Sequence, residues 1–441
     1  MSLLTFKQGI HLEYNKELTR DKSLKEANRP DEVVIPLQQH IGAPLKPLVN
    51  KGDYVKMGQK LGDTDSFVAA PVHASVSGIV KEIKKVLTPV GKKSLAVVIE
   101  ADDMDQLDDS IKPRGELKDL EPGKIREFIR EAGIVGMGGA MFPTHVKLAI
   151  PDDKEVEYVI LNGAECEPYL TVDYRIMLER AKDVVFGLKV LMKATEAEKG
   201  FIGIEDNKED AIKVMKKAVQ DEPGIEVKVT ETKYPQGGEK MLIKAILDRE
   251  VPMGGLPLDV GVVVNNVSTA VAVADLIKEG MPLIKRGMTI TGRGINEPIN
   301  IFYRIGTKIE ELIEQAGGLK DNTGKVILGG PMMGFSQGST DVPAVKGSSG
   351  ILVLPKEEVD AHAPQPCIKC SRCVDACPVF LLPTQLVNFT KNEMYDELEE
   401  YNVTNCIECG SCSYVCPSKI PLVHYIRMGK AEVIARKKKA Q

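Results

Sequence analysis

The sequence has no tryptophan, and aromatic residues make up only 5% of its 441 residues. Without aromatic platforms, stacking of single-stranded bases is a poor expectation. An excess of basic charge is also missing. Lys and Arg number 58 against 63 Asp and Glu, a net charge of -5, whereas nucleic-acid binders are usually basic. No run approaches the ~18 apolar residues that span a bilayer. The richest stretch, Leu258 to Ile277, is interrupted by Asp259, Asn265, Asn266, Ser268 and Thr269. Met1 to Arg20 carries charges throughout and lacks the apolar core of a secretory signal. These absences predict a chain that stays in the cytosol, binds no nucleic acid and meets a membrane only through partners.

Cysteine is nearly absent from the first 366 residues, where Cys166 stands alone. The other eight of the nine lie between Cys367 and Cys416. With no signal peptide, a disulfide framework is a poor reading and metal ligation a good one. Cys367-x2-Cys370-x2-Cys373-x3-Cys377-Pro378 is followed by Cys406-x2-Cys409-x2-Cys412-x3-Cys416-Pro417. Zinc sites typically use two separated pairs instead. Three thiolates this close wrap one face of an iron–sulfur cubane. The fourth reaches the other cluster, and the Pro after it fixes the chain's exit. The expectation is two [4Fe–4S] clusters. One takes Cys367, Cys370, Cys373 and Cys416; the other takes Cys406, Cys409, Cys412 and Cys377. Together they make a short one-electron wire.

The chain divides by pattern. Residues 1–30 are polar and mixed, an arm. Residues 31–112 carry short strands with turn signals such as Lys51-Gly52-Asp53 and Ser77-Gly78. This region resembles the barrel-sandwich fold of lipoyl and biotinyl carriers. Those carriers need a hairpin Lys, and none lies between Lys60 and Lys81, so a docking or packing module is expected. Ala101 to Ser110 reads as an acidic linker. Residues 113–280 alternate strand and helix, with strands near 157–161, 201–204, 227–230 and 260–264 and helices over 173–193, 208–219 and 239–247. That is the pattern of a mainly parallel, Rossmann-like sheet, whose ligands sit beyond the carboxyl ends of the strands. The polar loops Asn162-Gly163-Ala164-Glu165 and Asn265-Asn266-Val267-Ser268 follow two of them. Residues 281–360 fit a small β-grasp domain, and 361–441 form the cysteine domain. The fold class expected is a multidomain α/β chain.

Gly133-Ile134-Val135-Gly136-Met137-Gly138-Gly139-Ala140-Met141-Phe142-Pro143-Thr144 precedes His145-Val146-Lys147. Such a loop lets backbone N–H groups approach a phosphate or planar ring. It fails the dinucleotide fingerprint, because Met141 takes the last glycine position. A one-electron wire usually needs a two-electron partner, and a flavin converts between hydride and single electrons. Flavin plus nicotinamide is therefore expected.

Three segments resemble the flavin- and NADH-binding subunit of respiratory complex I: Gly136-x-Gly138-Gly139-Ala140-x-Phe142-Pro143-Thr144-x-x-Lys147, Asn162-Gly163-Ala164-Glu165-Cys166-Glu167-Pro168, and Val264-Asn265-Asn266-Val267-Ser268-Thr269. Tyr234-Pro235-Gln236-Gly237-Gly238-Glu239 is similar to a fourth. The whole chain is closer still to the RnfC family of the Rnf electron-transport complex. Its N-terminal motifs are Pro36 to Pro44 and Ala70 to Gly78, and its β-grasp motif is Leu328-Gly329-Gly330-Pro331-Met332-Met333-Gly334.

The resemblance implies non-covalent FMN on Gly136, Gly138, Gly139, Lys147, Asn162, Glu165, Tyr234, Gly237, Glu239, Asn265, Asn266 and Thr269. It places NAD(H) near Phe142, with Glu167 holding the ribose or carboxamide side. It implies a peripheral subunit on the cytoplasmic face of the membrane. Ferredoxin would reach it indirectly, through other Rnf subunits and a ferredoxin-accepting iron–sulfur subunit, and electron transfer to NAD+ would drive Na+ or H+ export. Ala164 stands where the complex I family has Asp, and Gly238 where it has Glu. The alternatives are a flavin and iron–sulfur cobalamin reductase and an electron-wire subunit without nicotinamide. Cys166 reads as buried filler, His145 as a surface polar residue, His40 and His73 as structural, and Arg436 to Lys439 as a solvated tail.

Overall fold

The computed structural model describes residues 3–360 and 362–440. The barrel-sandwich region is two antiparallel sheets. One orders Glu32–Pro36, Lys93–Ala101, Gly78–Leu87 and Tyr54–Val55; the other orders Lys46–Pro47, Lys60–Asp63 and Val72–His73. Val33, Ile35, Val55, Leu61, Val72, Val80, Val97 and Ile99 fill the space between them and are fully buried. The acidic stretch after Ala101 is not a free linker. Asp105 takes a bidentate ion pair from Arg304, and Asp102 accepts from Ser77 and Tyr54.

Four parallel strands form the central sheet, in the order Ile225–Thr230, Lys199–Glu205, Tyr158–Asn162, Val262–Asn266. The first strand in sequence therefore lies inside, and the chain crosses over it to add the fourth. That reversal is the topological switch point, where a crevice opens beyond the carboxyl ends. Asn162 and Asn266 are register partners at its two lips. The expected helix over 173–193 is two, Val172–Glu179 and Ala181–Thr195, broken at Arg180. The Arg180 guanidinium is tied to Asp183 and Asp275. Asn265 and Asn266 end the strand itself, with Val267–Glu279 starting at once as helix.

The β-grasp region builds a six-stranded sheet on Lys285–Thr291, Ile299–Arg304, Thr323–Leu328 and Gly350–Pro355, around the helix Ile309–Gln315. The N-terminal arm adds an edge to it, as Leu24–Glu26 pairs in parallel with Ile299–Arg304. The cysteine domain is helical, and Leu386, Leu398, Val403, Leu422 and Ile426 form its core. Arg436 to Lys439 belong to its last helix, Leu422–Ala440, rather than to a tail.

Candidate functional site

The glycine loop follows the helix Pro122–Glu131 and closes on itself. Gly136 N–H donates to the Phe142 carbonyl at 2.9 Å, and Val135 bridges Pro143. Its tip is held over the switch point from two sides. Met137 N–H donates to Thr269 Oγ1 at 3.1 Å, and the buried Arg286 guanidinium donates to the Met137 carbonyl. A Cβ on Gly138 would stand 3.2 Å from Asn266 Cβ, so the loop lies directly on that strand end. A Cβ on Gly139 would meet nothing within 4 Å. The loop thus backs onto Asn266 and opens at Gly139.

The other segments converge from below. Asn162 Nδ2 donates to the Gly237 carbonyl at 2.8 Å, and its Oδ1 accepts from Ala164 N–H. Lys147 Nζ pairs with Glu239 and donates to the Val264 carbonyl at 2.6 Å. Asn266 Nδ2 donates to Asp173 Oδ2 at 2.7 Å, and its Oδ1 caps the following helix at Ser268 N–H. Glu165 accepts from Asp173 and Tyr174 N–H at the start of Val172–Glu179. Burial pushes its carboxyl above the usual range, against the pull of Lys16.

Two buried amides lack partners. Asn265 is 5% exposed and its Nδ2 is unpaired; Gln236 is fully buried and both ends of its amide are unpaired. Buried polar groups are normally satisfied. The unpaired Asn265 donor, the open face of Gly139 and the Lys147 ammonium fit an anionic, ring-bearing ligand such as FMN.

Several side chains stand apart from the roles the sequence suggested. Glu167 is not presented to an open cleft. Its carboxylate accepts from Met333 N–H at 2.8 Å and Met332 N–H at 3.1 Å, and a Cβ on Gly330 would stand 2.2 Å from it. Burial raises its pKa to about 7, against those two N–H bonds. Tyr234 turns its hydroxyl away to the Cys409 carbonyl, 2.7 Å distant. His145 is buried rather than surface-exposed, with Nε2 3.1 Å from the Phe67 carbonyl. Cys166 is buried, accepts Gly237 N–H at 3.3 Å and has its thiol pushed up by burial. Phe142 is half-buried at the end of the glycine loop.

Three residues that no motif marked hold this site. Lys16, from the arm, donates to the carbonyls of Glu165, Glu167 and Leu170 at 2.8, 2.9 and 2.5 Å. Lys346 donates to the Pro71 and Gly133 carbonyls, both at 2.6 Å, tying barrel, glycine loop and β-grasp region together. Arg286 shares a strand face with Met288 and Ile290. A charge at that inward position was the one available signal.

In the cysteine domain the two motifs interleave. After burial, the groups that push up the Cys373 thiol are Cys416, Cys367 and Cys370. Those that push up Cys412 are Cys406, Cys409 and Cys377. Cys377, Cys406, Cys409 and Cys412 line one cavity with Val379, Leu381, Val423 and Ile426. Among the described residues, no group of three or more His, Cys, Asp or Glu is tight enough for a single ion. A cubane seats each thiolate on its own iron and spreads them wider. This donor set, four thiols in an apolar cavity, fits an iron–sulfur cluster.

Comparison with known proteins bears on these sites. Residues 4–104 match the RnfC barrel sandwich hybrid domain, 129–275 the Nuo51 FMN-binding domain, 288–336 the SLBB domain and 360–417 the 4Fe-4S dicluster domain. The chain is 51% identical to the RnfC protein of the Na+-translocating ferredoxin:NAD+ oxidoreductase complex of Acetobacterium woodii, over 99% of this chain and 98% of that one. The chain belongs to the RnfC family. A second member, from the Clostridium ljungdahlii complex described as proton-translocating, is 50% identical over 98% of this chain and 94% of its own. An NAD+-reducing [NiFe]-hydrogenase structure aligns with TM-score 0.48 and 17% identity, covering 74% of this chain and 63% of its own. Members of the RnfC family are parts of multi-subunit ion-translocating complexes, so this chain is read as one part of such a complex, with FMN-binding and dicluster domains. No described helix is long and apolar enough to cross a membrane.

Proposed function

We propose that this chain is the peripheral subunit through which an ion-translocating ferredoxin:NAD+ oxidoreductase complex passes electrons to or from NAD(H). It would sit on the cytoplasmic face, against membrane-spanning subunits and a ferredoxin-accepting iron–sulfur subunit. The observation that carries this reading is one hydrogen bond between two sites: buried Tyr234, from the flavin-type loop, holds the Cys409 carbonyl of a cluster-type loop.

FMN, when bound, supplies the conversion between paired and single electrons. The chain's own residues supply the setting. The amides of Gly136, Gly138 and Gly139 face the ligand, and Thr269 and Arg286 keep that loop over the switch point. Asn265 offers its free Nδ2, Lys147 its charge, and Asn162, Asn266, Gly237 and Glu239 hold the floor. Glu165 orients the helix start beside it. Phe142 is given the nicotinamide side. Glu167 closes the Met332–Met333 turn over that side and reaches a nucleotide only with its remaining lone pairs. The eight cysteines hold two clusters in the crossed sets. The functional units divide at about residues 30, 112, 280 and 360.

Anaerobic purification and cofactor analysis test this. About eight irons per chain and FMN released by acid are expected, with NADH oxidised by ferricyanide. Two zincs, a lack of flavin after reconstitution, or preferred reduction of cobalamin would overturn it.

A further inference from the structure

We infer that the two clusters are unequal in place. The cluster of Cys377, Cys406, Cys409 and Cys412 is the inner one, facing the flavin site; that of Cys367, Cys370, Cys373 and Cys416 is the outer one. Tyr234 is the residue that positions the inner cluster against the flavin domain. This rests on the two-cluster, FMN reading above.

The environments of the two sets differ sharply. Cys377, Cys409 and Cys412 are each 8% exposed, whereas Cys367 and Cys370 are exposed along with the whole segment 362–372. Cys409 shares an apolar cluster with Leu12, Cys166 and Tyr234, flanked by Ile407 and Met332. That cluster spans the gap between flavin loop and cysteine loop. On the flavin side, Cys166 accepts Gly237 N–H. On the cysteine side, Tyr234 holds the Cys409 carbonyl. The fit is close: a Cβ on Gly410 would stand 2.8 Å from the Met332 carbonyl, and one on Gly238 would stand 3.6 Å from Ile407 Cδ1. The outer set has none of these contacts with the flavin loops.

Electron transfer slows steeply with distance, so position sets the order. NADH yields NAD+, one proton to solvent and two electrons. The electrons enter the wire singly: the inner cluster is reduced by one, passes it to the outer cluster and is reoxidised, then takes the second. The Tyr234 hydroxyl matters here by fixing the backbone of the loop that carries three inner ligands. Hydrogen bonding and burial around a cluster tune its potential, so losing this bond changes the inner cluster alone.

The test uses the full chain, reconstituted anaerobically and followed by EPR and freeze-quench. In Cys377→Ser, NADH-driven reduction of the outer cluster should fall at least tenfold while dithionite still reduces it. In Cys416→Ser, NADH should reduce the inner cluster within twofold of the parental rate. The reverse pattern, or equal effects in both, overturns the order. Tyr234→Phe removes only a hydroxyl and covers the case in which the serine variants fail to assemble. It should keep FMN and full iron, shift the EPR signal and midpoint potential of the inner cluster, and leave the outer signal unchanged. A shift in the outer cluster, or in neither, overturns the assignment. Parental protein without FMN or with under half the expected iron would overturn the underlying reading instead, and this inference with it.

Discussion

Replacing Lys16 by Met keeps the stem and removes one ammonium. That ammonium donates to three carbonyls of the loop bearing Glu165 and Glu167. A hydrogen bond from a charged group contributes about 1.5–3 kcal/mol. A simple sum of about 4.5–9 kcal/mol overstates the effect, since the three bonds share one side chain and are not additive. Loss of one partner from a buried charged network costs about 3–5 kcal/mol, and that is the expected loss of local stability. FMN needs this loop in place. At about 1.4 kcal/mol per tenfold, the dissociation constant should rise roughly 100-fold or more. Quenching of FMN fluorescence on titration into apoprotein measures it. Lys16→Arg should not restore binding, because a planar fork does not match three convergent carbonyls. Glu17→Gln, at the exposed next residue, should bind as the parent does. A Lys16→Met protein that binds FMN within threefold of the parent would refute the argument.

Gly139→Ala meets no atom within 4 Å, so its urea midpoint should match the parent while FMN retention on gel filtration falls; parental retention would remove the loop from the site. Lys346 is buried against two carbonyls, and burial lowers its pKa to about 7. The folded chain therefore binds fewer protons than the unfolded between about pH 7 and 10.5. Parental stability should gain from this residue as pH rises through that window. Lys346→Met should lose the gain, read as urea midpoints at pH 7.5 and 9.5. Glu167 works in the opposite sense. Its pKa is raised from 4.5 to about 7, so the folded chain binds more protons in that window and loses stability as pH rises. Glu167→Gln should flatten urea midpoints between pH 5 and 7, and an unchanged slope would count against the buried-acid account.

What the sequence made legible was local or strongly periodic. The cysteine spacing repeats without a fault, and every-third-residue thiolates constrain chemistry at short range. The strand at Tyr158–Asn162 and the helix Glu239–Leu247 came from continuous apolar runs and 3.6-residue spacing. The break at Arg180 was not legible, because it depends on Asp275, 95 residues away. The acidic stretch looked like a linker because its partner, Arg304, lies in another domain. His145 looked polar and exposed because nothing nearby in sequence shows that Phe67 covers it.

The site shows the same division more finely. A motif names the residues that meet, but it does not say which way each side chain turns. Asn162, Asn265 and Asn266 lie at strand ends whose register follows from the parallel order, so their placement at the switch point was implicit in the pattern. Tyr234 and Glu167 lie in loops whose direction depends on what docks against them. The cysteine loop takes the Tyr234 hydroxyl, and the Met332–Met333 turn takes the Glu167 carboxylate. Both docking partners come from domains absent from the sheet itself. The flavin-type segments therefore serve two masters here: their backbone and amides form the cradle, while these two side chains fasten it to the wire and to the β-grasp turn. Substituting either should register first as a loosened junction, and only through that as altered chemistry.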